Sequence, residues 1–205
     1  MYEYSDQTRF GIGYRSQVKH KLKGDIKFEG LMLPANQDIS ARITTPANLT
    51  IGAYHDINDK WSVMAEFGRT YWSSFDTLDI YGENNGKMST TEERWKDTTF
   101  YAIGASYQYN DQWKFRVGFA VDQSAVGQEY RTPRIPDSDR LWYSSGIEYK
   151  YNDDWTFNLG YTYIRADKGK VKLLGYHDGD NARGSLQADY ENDIHILGFG
   201  ASYNF

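Results

Sequence analysis

The sequence predicts an all-β protein, an antiparallel transmembrane β-barrel. Three observations carry this. Long stretches alternate apolar and polar residues, and a strand sends alternate side chains to opposite faces. Three tetrapeptides of the pattern Asn-Asp-x-Trp, at 58–61, 110–113 and 152–155, punctuate those stretches, and the intervening connections are longer. The chain also ends on an aromatic strand. Phe205, Tyr203, Ala201, Phe199 and Leu197 share one parity, against Asn204, Ser202, Gly200 and Gly198, then Ile196. In a membrane barrel the apolar parity faces lipid and the small polar parity faces the lumen. An amphipathic edge strand of a soluble sandwich would show the same alternation, so the terminal strand alone does not decide.

Composition narrows the choice. The 205 residues suffice for one domain and include 18 Tyr, 10 Phe and 6 Trp but only 4 Pro, which favours strands. Mean hydropathy is -0.74, and no run approaches 18 apolar residues, so no transmembrane helix is expected. A barrel stays possible because its alternating strands average out as polar. There is no Cys, hence no disulfide framework or thiol chemistry. The net charge of -5 and the lack of a long basic block argue against nucleic acid. Met1-Tyr-Glu-Tyr-Ser-Asp6 has neither the basic nor the apolar region of a signal peptide, so an exported chain would begin here in mature or shortened form.

The first strand is expected from Thr8 to about Glu29. Phe10, Ile12, Tyr14, Val18 and Leu22 share one face, and Gly11, Gly13, Arg15, Lys19, Lys21 and Lys23 share a basic face that would line a lumen. Gly30 to Gln37 reads as a loop. A second strand covers 38–57, interrupted at Pro46, which marks a bulge or an edge. The third runs from Trp61 to about Gly82, with Trp61, Val63, Ala65 and Phe67 on its apolar face, and 83–93 reads as an exposed polar loop. The fourth, from about Arg94 to Tyr109, sets Tyr101, Ile103, Ala105 and Tyr107 against Lys96, Phe100, Gly104 and Ser106. The fifth sets Trp113, Phe115, Val117 and Phe119 against Lys114, Arg116, Gly118 and Asp122. Residues 124–138 form a loop with Pro133 and Pro136. The sixth strand covers 140–151 and the seventh begins at Trp155; a Gly- and Asp-rich loop, 177–184, precedes the eighth.

Short turns at one end and loops of about 8 to 15 residues at the other are the asymmetry of an outer-membrane barrel. The recurring Trp, with Tyr109 and Tyr151 just before the second and third turns, would build an aromatic girdle at the short-turn interface. Strands of this length exceed the five or six residues usual in soluble folds.

Catalysis finds no support. His20, His55, His177 and His195 lack metal-ligand spacing, there is no Gly-x-Ser-x-Gly elbow, and Gly11-x-Gly13 and Gly198-x-Gly200 lack the third glycine of a nucleotide loop. Asp178-Gly-Asp180-Asn181 lacks the full calcium-loop pattern and reads as a solvated turn. No cofactor is expected. The remaining chemistry lies on the polar face, where Lys96, Lys114, Arg116 and Lys150 share parity with Glu66, Asp122 and Glu148. Such charges usually form a ladder of pairs; the functional alternative is a cationic site for a carboxylate.

Particular strings go further. Phe10-Gly-Ile-Gly-Tyr-Arg-Ser-Gln-Val-Lys-His-Lys-Leu-Lys-Gly24, Trp95-Lys-Asp97, Trp113-Lys-Phe-Arg-Val-Gly118 with Asp122-Gln-Ser124, and above all Tyr130-Arg-Thr-Pro-Arg-Ile-Pro-Asp-Ser-Asp-Arg140 resemble the outer-membrane long-chain fatty acid transporters, the FadL/TodX family. The resemblance covers essentially the whole chain. It implies a fourteen-stranded barrel in the outer membrane of a Gram-negative bacterium, plugged by an N-terminal hatch. Hydrophobic substrates would enter from outside, without enzyme activity. About eight strands are present, so residues 1–205 would be a single partial barrel, the C-terminal half, without hatch or first strands. The resemblance also implies that Lys96 stands near the ligand carboxylate. Phe100, on the same face, would pack on the acyl chain, and Arg116 joins them as a ligand-binding candidate. The partners implied are a long-chain fatty acid or other hydrophobic molecule, the lipid of the membrane, and the barrel-assembly machinery through Phe205. Two other readings compete. A small structural eight-stranded barrel without transport predicts paired lumen charges and no cavity. A soluble lipid-binding barrel predicts the Trp and Tyr face turned inward.

Overall fold

The computed structural model describes residues 1–27, 36–83, 86–175 and 184–205. In chain order its strands are β1 (Tyr2–Ser5), β2 (Thr8–Arg15), β3 (Val18–Ile26), β4 (Gln37–Thr45), β5 (Asn48–Asp56), β6 (Trp61–Thr70), β7 (Thr77–Tyr81) and β8 (Lys87–Glu92). They continue with β9 (Thr98–Gln108), β10 (Trp113–Asp122), β11 (Arg140–Lys150), β12 (Trp155–Ala166), β13 (Gly169–Leu173), β14 (Leu186–Tyr190) and β15 (Asp193–Tyr203). The principal sheet runs β1-β2-β5-β6-β9-β10-β11-β12-β15, all antiparallel. Its edge strands, β1 and β15, are not paired with each other. The eight expected strands are there, each placed next to its sequence neighbour, with short β1 as an added ninth.

The first three expected strands are shorter than the alternation suggested. Each breaks where it leaves the principal sheet, and its continuation joins a second sheet, β3-β4-β7-β8. Pro46 lies in the break between β4 and β5, because it cannot donate to a ladder. A single 3-10 turn, Trp72–Ser74, separates β6 from β7. The polar stretch after Gly82 is not a plain exposed loop: β8 lies within it, and Thr91 and Glu93 are buried. The seventh strand reaches Ala166, and a further hairpin, β13–β14, follows. The expected loop at 30–37 and the Asp178–Asn181 turn, with His177, fall mainly or wholly outside the described residues.

The Asn-Asp-x-Trp turns share one geometry. Asn58 Oδ1 accepts the backbone N–H of Lys60 at 2.9 Å and of Trp61 at 3.0 Å. Asn110 does the same for Gln112 and Trp113, at 3.0 and 2.9 Å, and Asn152 for Asp154 and Trp155, at 3.1 and 2.7 Å. The side chain mimics a backbone turn, which is why Asn recurs at that position. Each Trp then stands opposite a Tyr of the next wall strand. The ring centroids are 4.6 Å apart for Trp61–Tyr107, 4.5 Å for Trp113–Tyr149 and 4.9 Å for Trp155–Tyr203. The girdle therefore stitches hairpin to hairpin.

Apolar burial is inverted relative to a water-soluble domain. Ile12, Ile103, Val117, Leu197 and Phe199 on the outward parity are 61–74% exposed. The buried apolar side chains of the principal sheet are Ala120 and Ile164, whereas Phe75, Ala125, Val126, Val171 and Leu173 are buried in the layer at the long-loop end. A wall with its large side chains outward and its packed core beyond one end is that of a membrane barrel. The soluble lipid-binding reading, with its Trp and Tyr face inward, does not fit.

Candidate functional site

The inward parity of the principal sheet is poor in side chains. Gly104 stands opposite Gly118, and Gly146, Gly160 and Gly198 lie side by side across three strands. Added Cβ atoms at Gly160 and Gly198 would meet nothing within 4 Å. These glycines border a concavity of about 940 Å³, which Glu66, Tyr54, Met64 and Asn158 also line. The glycines serve space rather than turns: the wall keeps regular pairing while the lumen stays open.

Charged residues frame this concavity. Glu148 receives Arg116 Nη2 at 2.5 Å and Lys114 Nζ at 3.8 Å, and Arg116 Nη1 reaches Asn158 Oδ1 at 3.4 Å. Arg116 thus lies on the lumen face as expected, bound into a ladder of pairs. Higher up, Asp122 pairs with Arg140 at 2.9 Å. Phe100 is half-buried, opposite Gly68 and Asp122, and its ring meets Trp142 edge-on at 6.5 Å. Trp142 was legible from its parity in the sixth strand but was not singled out; it and Phe100 make the apolar part of the lumen mouth.

Lys96 is placed differently from expectation. It precedes β9 rather than lying in it, and its side chain is exposed. Its backbone N–H donates to Ala125 O at 2.9 Å, which fixes the loop. Its ammonium has no ion pair or hydrogen bond among the described residues. Lys96 lies four residues before Phe100, outside the strand. Arg116 lies six residues below Asp122, the partner of Phe100, roughly 20 Å down the wall at ~3.3 Å per residue. Phe100 and Arg116 thus mark successive depths of one inward face, and Lys96 lies on the loop beyond it, so the three do not form a single cluster.

The loop bearing Lys96 is held by packing and by Asp97. Trp95 packs edge-on to Trp72 and Phe75, at 4.9 and 5.0 Å, and its Nε1 donates to Glu93 at 3.0 Å. Asp97 accepts the Ser73 N–H at 3.0 Å and lies 3.5 Å from Arg69. Hydrogen bonds from Ser73, with the Arg69 charge behind them, hold its carboxyl below the usual carboxylate range. A lowered folded pKa gives stability that is present above the unfolded value, near 4, and lost as pH falls through the folded one. Acidification below about pH 4 is therefore expected to loosen the 71–75 segment. In Asp97→Asn, amide exchange of that segment should become independent of pH after correction for intrinsic rates; a retained acid dependence would remove Asp97 from this role.

Comparison with known proteins follows from this geometry. A family model described as outer membrane protein transport protein (OMPP1/FadL/TodX) matches residues 1–205. The chain belongs to that family. The long-chain fatty acid transport protein of Escherichia coli O6:H1 (strain CFT073) is 29% identical over 220 residues, covering 100% of this chain and 48% of that protein. Outer membrane protein P1 of Haemophilus influenzae is also 29% identical, over 100% of this chain and 45% of its own length. The crystal structure of a Pseudomonas aeruginosa FadL homologue superposes with a TM-score of 0.87 at 25% identity, covering 98% of this chain and 50% of that one. The toluene transporter TodX of P. putida shares the fold, with a TM-score of 0.64 at 21% identity over 99% of this chain and 47% of its own. The chain spans about half the length of the curated relatives it matches. Membership in the FadL/TodX family places the protein in the Gram-negative outer membrane.

Proposed function

We propose that the chain forms part of a passive outer-membrane transporter for long-chain fatty acids or other hydrophobic molecules, without enzyme activity. The observation that carries this is the side-chain-poor lumen face, with its ~940 Å³ concavity below an apolar mouth. Half-length coverage of the relatives and the two unpaired edge strands support reading it as the C-terminal half of the barrel, with hatch and further strands supplied by the rest. In this reading Lys96 meets the carboxylate, Phe100 contacts the acyl chain, and Arg116 lines the deeper passage. Exposed Phe205 presents the terminal aromatic to the barrel-assembly machinery. The paired ladder at Glu148 also suits the structural-barrel alternative, but an open cavity does not.

The test compares binding of a long-chain carboxylate with that of the matching alcohol. Lys96→Ala is expected to weaken the carboxylate about tenfold, the scale of one charge-assisted bond, and to leave the alcohol unchanged. Equal affinity of variant and parent for the carboxylate would remove Lys96 from the site. Gly160→Phe, where an added Cβ meets open space, is expected to fold normally yet abolish binding in the lumen. If neither ligand binds the parent chain, the transport reading fails.

A further inference from the structure

The basic face expected to line the lumen belongs instead to the sheet β3-β4-β7-β8. Lys19, Lys21 and Lys23 alternate along β3, and Arg42 lies directly opposite Lys21 on β4. All four are exposed. None has an ion pair or a hydrogen bond from its side chain among the described residues. Two cations directly opposite across an antiparallel pair repel, with Cα atoms about 4.5–5.5 Å apart. In a chain of net charge -5, four cations without counter-charge stand against the background.

The face is also polarised along its length. β3 starts after residues 16 and 17, just beyond wall strand β2, which ends on Arg15, so Lys19 is the nearest of these four cations to the rim. At the far end Asp25 stands opposite Asp38, and Asp25 pairs with Lys27 at 3.9 Å. Asp79, from β7, is engaged by Lys87 at 3.1 Å and by Thr90 at 2.8 Å, so it does not neutralise the strip. The positive end is therefore the one nearer the wall, and the acidic end points away from it. From Lys19 to Lys23 the array spans roughly 13 Å, which suits a ligand carrying several anionic groups rather than one.

We propose that Lys19, Lys21, Lys23 and Arg42 form a docking face for the phosphate groups of the outer-leaflet glycolipid that surrounds the barrel rim. The long-loop end faces the outside, where that lipid presents its phosphates at the height of the first cations. Juxtamembrane cations near an anionic surface each contribute about a fivefold gain in association. The plain alternative is that lysines on an edge strand only discourage strand-to-strand association.

The test uses the full chain in uncharged detergent, offered micelles of diphosphorylated lipid A or of its dephosphorylated form, with retained lipid read by native mass spectrometry. The phosphorylated form should be retained preferentially, less so as salt is raised. Lys19→Gln/Lys21→Gln/Lys23→Gln/Arg42→Gln should reduce retention on the order of fivefold per charge removed, whereas replacing the three lysines by arginine should preserve it. Equal retention of both lipids, or undiminished retention by the glutamine variant, overturns the proposal. Saturation by inorganic pyrophosphate without lipid retention also overturns it, in favour of a free-anion site. Self-association of the glutamine variant with unchanged lipid retention assigns the lysines to edge protection instead. The long-chain carboxylate assay on Lys96 is independent of all these outcomes.

Discussion

Arg131→Met is expected to release the 124–139 segment from the long-loop layer at a local cost of about 3 kcal/mol. Arg131 is 9% exposed and is held by backbone carbonyls rather than by an acid. Its Nε donates to Asp137 O at 2.8 Å, its Nη1 to Lys170 O at 3.0 Å and its Nη2 to Val126 O at 3.5 Å. One guanidinium thus ties both ends of its own loop to β13. Methionine fills comparable volume but leaves these acceptors without donors, and an unsatisfied buried acceptor costs about 1–3 kcal/mol. The readout is amide exchange and protease cutting within 124–139, with the urea midpoint of the barrel wall unchanged. Arg131→Lys should reproduce most of the effect, because an ammonium cannot present the planar fork. Unaltered exchange in Arg131→Met would show that the loop is held by Ser124, which bonds Asp139 and Asp137 at 2.8 and 2.9 Å.

Trp155→Ala is expected to destabilise the wall by about 2 kcal/mol, part of the 3–5 kcal/mol for a fully buried Trp because the ring is 39% exposed. The effect should centre on β15, which joins β12 through an unbroken register from Trp155↔Tyr203 to Arg165↔Asp193. Urea unfolding in phospholipid vesicles measures it. A double-mutant cycle with Tyr203→Ala should give a coupling of about 1 kcal/mol, as for other aromatic pairs. Zero coupling would mean that each ring acts only as an anchor in the membrane interface and that hairpins are not joined through the girdle.

Much of the wall was legible in the sequence because it is governed by local rules. Alternation at residues 113–121 and 155–163 identified β10 and β12 and the face each turns to lipid. Asn58, Asn110 and Asn152 marked the turns because an Asn side chain can close them by itself. Of the candidate site, Arg116 and Phe100 were placed correctly on the inward face. Lys96 was not. Its parity continued through residues 94–97, but the strand does not, because Trp95 packs on Trp72 and Phe75 and draws the chain out of the sheet. The same limit applies to Lys19, Lys21 and Lys23, whose even spacing carries no record of the break at 16–17.

The sequence by itself determined the alternating wall, the short-turn end and the kinship of the chain, since periodicity two and Asn-based turns need only near neighbours. Tertiary structure alone decided where strands leave the wall, which cations find acids, and how Arg131 locks a loop onto β13. Those outcomes depend on contacts between residues far apart in the chain, such as Arg131 with Lys170 or Arg116 with Glu148. Pairing of that kind is set by packing geometry, which no local pattern encodes.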